Sequence, residues 1–217
     1  MVLCGSGRFD GSEIHESVLT LLHLERGGAQ AACFAPDAPQ WAVCDHFSGE
    51  AVPGASRNML QEAARIARGA VVPLAQARAA DLDALILPGG NGAARNLGTF
   101  ADEGARGRLL PDLARLIQEI VAAGKPLGAI CIAPALVALA LRGLAPRLTL
   151  GRAGVGAAAE AAKTGAEMVD CAVDQIVTDE RLNLVSTPAY VLAQSIAEAD
   201  AGIGRLVAEV LRRAGRR

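Results

Sequence analysis

Short apolar runs alternate with segments of helical period along almost the whole chain, and no other feature narrows the possible folds as much. Leu85-Ile86-Leu87 is apolar at every position, the pattern of a strand covered on both faces. Val2-Leu3-Cys4, Ala29 to Phe34, Pro126 to Ile130, Val173 to Thr178 and Leu182 to Ser186 read as further strands. The last two are separated by a turn at Asp179-Glu180-Arg181. Glu13 to Glu25, with Ile14, Val18, Leu21 and Leu22 as its apolar positions, repeats at helical spacing. So do Asn58 to Ala67, Leu109 to Ala123, Pro134 to Leu141 and Val191 to Arg213. Trp41 to Val52 predicts a hairpin about His46-Phe47-Ser48-Gly49. This order predicts an α/β three-layer sandwich: a mostly parallel sheet, helices on both faces, right-handed crossovers. Residues 1–217 read as one domain, because no linker, repeat or low-complexity segment interrupts them.

Composition excludes several functions. With 52% hydrophobic and 20% charged residues, the chain can bury a core, and its 3% aromatic content implies small aliphatic packing. A net charge of -2, with basic residues clustered only at Arg212, Arg213, Arg216 and Arg217, offers no nucleic-acid groove. That tail is expected to be a solvated, slightly frayed helix end. The five cysteines (Cys4, Cys33, Cys44, Cys131 and Cys171) are odd in number and widely spaced, without a C-x-x-C pair. Neither a disulfide framework nor a zinc site is expected from them, and no metal or cofactor. No apolar stretch approaches the roughly 18 residues of a membrane span, and no signal peptide is recognisable. The expectation is a soluble, cytoplasmic protein.

In parallel sheets ligands bind beyond the carboxyl ends of the strands, and three unusual groups fall there. Leu127 to Ile130 reads as a strand that passes at once into a helix, with Pro134 suited to the first turn. Cys131 sits at that turn, beside free amides and the positive helix end, where a thiolate is stabilised. Packing of a small buried thiol explains the position equally well. The second group, Leu87-Pro88-Gly89-Gly90-Asn91-Gly92, lets the backbone approach a ligand. Its amides, with that of Ile132, could line an oxyanion pocket, although an ordinary glycine turn has the same signature. The third is Asp10-Gly11-Ser12-Glu13-Ile14-His15-Glu16. Asp10 with Glu13 resembles a capping box. Glu13 and Glu16 share one helix face, so one of them could serve as a general acid or base. His15, His23 and His46 all precede Cys131, leaving no evident Cys-His pair.

These motifs together resemble the PfpI-type superfamily, which has a class I glutamine amidotransferase-like, flavodoxin-like fold. Asp10 to Glu16, Pro88 to Leu97 and Ala129 to Ala135 carry the likeness, as do Cys33-Phe34-Ala35-Pro36-Asp37 and Ser186-Thr187-Pro188-Ala189-Tyr190. Within the superfamily the chain is most similar to the bacterial glyoxalase group, the ElbB or enhancing lycopene biosynthesis proteins. The resemblance implies that Cys131 is the nucleophile on its elbow. It implies a first-helix glutamate, Glu16 rather than Glu13, hydrogen-bonded to the thiol, with Gly90 and Ile132 as oxyanion donors and Gly89, Glu13 and His15 in support. The implied reaction is cofactor-free conversion of glyoxal, or a similar small dicarbonyl, to the hydroxy acid, with protein deglycation as a related outcome. A homodimer is implied as well. The alternative is a non-catalytic, redox-sensing thiol module supporting isoprenoid metabolism. Ile132 stands where proteolytic and glutaminase relatives often carry His, so those activities are not expected. Relatives also have a longer first strand, so either the chain begins upstream of Met1 or the sheet loses part of its central strand.

Overall fold

A computed structural model describes residues 1–215; Arg216 and Arg217 of the basic tail lie outside the described residues. The strands are β1 (Cys33–Ala35), β2 (Val71–Pro73), β3 (Leu85–Leu87), β4 (Leu127–Ile130), β5 (Arg147–Leu148), β6 (Glu167–Met168), β7 (Val177–Asp179) and β8 (Leu184–Thr187). The helices are α1 (Ile14–Arg26), α2 (Met59–Ile66), α3 (Ala93–Asn96), α4 (Phe100–Glu103), α5 (Pro111–Ala122), α6 (Ala133–Ala140), α7 (Gly156–Ala162) and α8 (Ile196–Arg213). Strands β3, β4 and β8 lie parallel in that order, and β7 closes the edge antiparallel to β8. On the other side β1 pairs parallel with β2. The first residues join the two sheets: Val2 N–H donates to Ile86 O at 3.1 Å, and Leu3 N–H to Phe34 O at 2.7 Å. The expected strand at Val2-Leu3-Cys4 is thus a single bridge, Val2 to Phe34, in the middle of the sheet.

Alternation along the buried strands feeds two separate cores. Leu85, Leu87, Leu127, Ala129 and Leu184 face Leu113, Leu116, Ile117 and Ile120 of α5 and Leu136 of α6. Ile86, Ile130 and Val185 point the opposite way, onto Ile203, Leu206, Val207 and Val210 of α8. This is the expected three-layer α/β arrangement, with every side chain of β3, β4 and β8 covered. Gly128 lets α8 settle closely on the sheet: a Cβ there would lie 2.9 Å from Leu206 Cδ2 and 3.1 Å from Val210 Cγ2.

Helix α1 is oriented against expectation. Its apolar positions Ile14, Val18 and Leu22 are 41%, 47% and 36% exposed, while Glu16, Ser17, Thr20 and Leu24 are buried. The buried hydroxyls bond within the helix, Ser17 to Glu13 O and Thr20 to Glu16 O. With their hydroxyls satisfied inside the helix, these side chains can face inward at no cost in hydrogen bonds. The cap also differs: Glu13, not Asp10, caps α1, accepting from Glu16 N at 2.8 Å. Asp10 is buried elsewhere and accepts from Cys44 N. The hairpin at Trp41 to Val52 is present as a Cys44–Ala51 bridge around the 45–49 turn. The predicted strand at Val173 narrows to β7, and β2, β5, β6 and α7 carried no periodic signal in so few residues. Arg213 is not solvated: its side chain is 6% exposed and pairs with Glu209 and Glu180.

Candidate active site

Strand β4 delivers Cys131 to an elbow. The residue adopts φ +59, the left-handed region that costs a non-glycine residue about 1–2 kcal/mol. Its amide donates to Thr187 O at 3.0 Å, so the end of β8 holds the turn. Helix α6 starts two residues later with Pro134 in its first turn. The backbone amides of Gly90 and Ile132 lie on the side of the sulfur where they favour its anion. The thiol is nearly enclosed, at 9% exposure.

Glu16 reaches this thiol from α1. Its carboxylate is fully buried beside Cys131 and accepts from Gly89 N at 2.8 Å and from Tyr190 N at 3.4 Å. Burial, reinforced by the charge of Glu13, raises its pKa to about 7 despite those bonds. Burial also raises the Cys131 thiol well above its ordinary value, and the neighbouring Glu16 charge adds to the effect. The expectation of a thiolate stabilised by the helix start is corrected by this finding. The two amides do favour the anion, but desolvation and an adjacent carboxylate outweigh them. Two acids here share one low-dielectric space, so ionising one disfavours ionising the other.

The glycine loop fits between the partners. A Cβ on Gly89 would lie 2.6 Å from Cys131 Cβ and 2.9 Å from Glu16 Oε2, so no side chain fits. Gly90, at φ +109, packs against the backbone of Gly11 and Glu13. The two loops are joined by Glu13 N to Gly89 O at 2.9 Å and Gly92 N to Arg8 O at 3.1 Å. The glycine amides divide their work. That of Gly89 is taken by Glu16, which corrects its place in the expected oxyanion set, while that of Gly90 faces the sulfur.

Beyond the thiol opens a cleft of about 370 Å³ lined by Arg8, Glu13, His15, Gly90, Asn91, Cys131, Tyr190 and Ala193. His15 Nδ1 bonds the Tyr190 hydroxyl at 2.8 Å, on the cleft wall. Cys131, Glu16, Gly89, Gly90, Ile132, Glu13 and His15 therefore converge on one end of the sheet. Sequence reasoning missed Arg8, Asn91 and Tyr190 as wall residues. Tyr190 carried a signal, since it closes the Ser186-Thr187-Pro188-Ala189-Tyr190 segment; Arg8, in the loop before α1, carried none. Among the described residues no group of three or more His, Cys, Asp and Glu could hold a metal ion. None of the described helices is long and apolar enough to cross a membrane.

No family model matches the chain. It is 42% identical over 224 residues to the human glutamine amidotransferase-like class 1 domain-containing protein 3, mitochondrial, covering 100% of this chain and 83% of that protein. The rat ES1 protein homolog, mitochondrial, is also 42% identical, with 100% and 84% covered. A crystal structure of an isoprenoid biosynthesis protein with amidotransferase-like domain from Ehrlichia chaffeensis superposes with a TM-score of 0.91 at 37% identity, over 98% of this chain and 96% of that one. Drosophila melanogaster DJ-1beta shares the fold, with a TM-score of 0.58 at 18% identity over 97% and 93% of the chains. The mitochondrial names of the curated relatives overturn the expectation of a cytoplasmic protein. Free thiols separate reducing from oxidising compartments, and carry nothing that distinguishes the cytosol from an organelle interior.

Proposed function

The chain belongs to the glutamine amidotransferase-like class 1 domain family, within the PfpI-type superfamily, and on that footing we propose that it is a cofactor-independent glyoxalase. The single observation that supports this reading is the Cys131–Glu16 contact at the head of an open cleft. Glu16, with a pKa of about 7, is in part ionised near neutral pH and in part available as an acid. The thiol is protonated at rest, so Glu16 takes its proton as the sulfur adds to an aldehyde carbon. The resulting hemithioacetal oxygen carries developing charge. The amides of Gly90 and Ile132 are the donors proposed for it, each such donor being worth about 3 kcal/mol in acyl transfer. Glu16 gives the thiol proton to the hemithioacetal oxygen and, ionised again, moves a proton from the thioacetal carbon to the adjacent carbonyl carbon through an enediol. Water hydrolyses the thioester that results. The sum is R–CO–CHO plus water giving R–CH(OH)–COO⁻ and a proton, one carbon oxidised and its neighbour reduced. An external electron acceptor is not needed.

Two other readings lack this support. A redox-sensing thiol works best as an exposed, low-pKa anion, and Cys131 has neither property. A glutaminase of the Cys-His type needs an imidazole on the sulfur, and the side chain beside it is Glu16. Self-association as a homodimer is part of the same proposal. The Ile14, Val18 and Leu22 stripe on the outside of α1 supports it; sedimentation of a monomer at micromolar concentration would count against it. The decisive test is glyoxal and methylglyoxal consumption by the full chain and by Cys131→Ser. Loss of all turnover is expected, and a Cys131→Ser variant that still makes hydroxy acid refutes the reaction.

A further inference from the structure

The cleft carries one charged group that the proposed reaction does not use. Arg8 lines the same cavity as Cys131, is exposed, and makes no ion pair with a carboxylate among the described residues. Its guanidinium lies over the Phe9 ring, 4.3 Å from the centroid. The Phe9 main chain is tied on both sides, its N–H donating to His46 Nε2 at 3.3 Å and its carbonyl accepting from Trp41 Nε1–H at 3.3 Å. The Arg8 carbonyl is bonded to Gly92 of the glycine loop. The acid nearest in sequence on the cleft wall, Glu13, is occupied in capping α1. A guanidinium over a ring and without an acid partner is a ready donor to a carboxylate, which it can grip with two parallel N–H bonds. Volume points the same way. A cleft of about 370 Å³ falls within the range for drug-sized ligands, whereas glyoxal has four heavy atoms and no charge.

We infer that the substrates of this chain are α-oxoaldehydes bearing a carboxylate remote from the reacting carbons, with Arg8 as the residue that binds it. This inference rests on the glyoxalase reading and adds the substrate class. The aldehyde carbon sits at Cys131 and the carboxylate meets Arg8, both of which line the one cleft. The reaction balances as before, with a dianionic hydroxy diacid as product. A neutral dicarbonyl is turned over with the anchor unused.

The test compares methylglyoxal with γ,δ-dioxovalerate, which has the same reacting group and a terminal carboxylate. Wild type is expected to favour the anion in kcat/KM by about tenfold or more, the strength of one charge-assisted contact. Arg8→Met should lower the ratio of the two kcat/KM values by about tenfold, mainly through KM for the anion, and Arg8→Lys should retain part of it. A ratio unchanged in Arg8→Met overturns the inference while leaving the reaction standing. If neither aldehyde is consumed, the reaction fails and the substrate class with it, and alkylation of Cys131 by neutral iodoacetamide decides whether Arg8 is a carboxylate anchor. The hydroxy diacid α-hydroxyglutarate should then protect Cys131 in wild type and not in Arg8→Met; equal labelling of the two overturns it.

Discussion

At the scale of single residues, the site is governed by which of two buried acids holds a proton. Glu16 is raised to about 7 first by burial and next by Glu13. Replacing Glu13 with Gln removes the charge yet leaves an amide oxygen able to cap α1. Glu16 then ionises more readily, so the acid limb of kcat/KM against pH should move to lower pH in Glu13→Gln. A limb that stays put or moves upward would show that Glu16 is not the base. Much of this site was legible in the sequence, because a strand running into Pro134 fixes an elbow and two acids three apart fix a helix face. The protonation state was not. A local view sees the helix start beside Cys131, which lowers a thiol pKa, and cannot see a carboxylate that the fold brings in 115 positions earlier in the chain. Arg8 was equally invisible, since its place on the cleft wall is set by bonds to Gly92 and by the Phe9 ring.

At the scale of elements, close approach between layers decides the packing. Gly128 is the contact point of β4 with α8, and a methyl group there would press on Leu206, Val210 and Ile86 together. All three are buried, so relief requires the helix to move. Gly128→Ala should therefore cost about 1–3 kcal/mol, the usual penalty for overpacking, read as a lower midpoint in urea unfolding at unchanged slope. An unaltered midpoint would mean that α8 does not seat there. The strands most readable in sequence, β3 and β4, are buried at every residue without a polar side chain, whereas β8, buried just as completely, breaks its apolar run with Ser186 and Thr187. Helix α1 misled for a physical reason: Thr20 and Ser17 satisfy their own hydroxyls within the helix, so a polar face could turn inward and leave Val18 outside. Two-residue strands such as β5 and β6 are too short for any period to register.

For the whole molecule, burial of Glu16 links chemistry to stability. Its pKa in the folded state, about 7, lies above the ordinary 4.5, so the native state binds the proton more tightly than the unfolded chain. The stability it contributes is fully present below about pH 4.5 and is lost as pH rises through about 7. Relative to Glu16→Gln, wild type should lose about 3 kcal/mol across that window. Paired denaturant titrations at the two ends of the range measure it, and parallel pH profiles for the two proteins would contradict it. The left-handed turn at position 131 has a related outcome. Glycine would occupy that backbone without strain, and this relief offsets part of the packing lost with the thiol, so a lineage freed from the need to process its substrate could drift to Cys131→Gly and stay folded. Inactive descendants of such a chain would keep a well-formed architecture, and their persistence in a genome would say nothing about whether the ancestral chemistry survives.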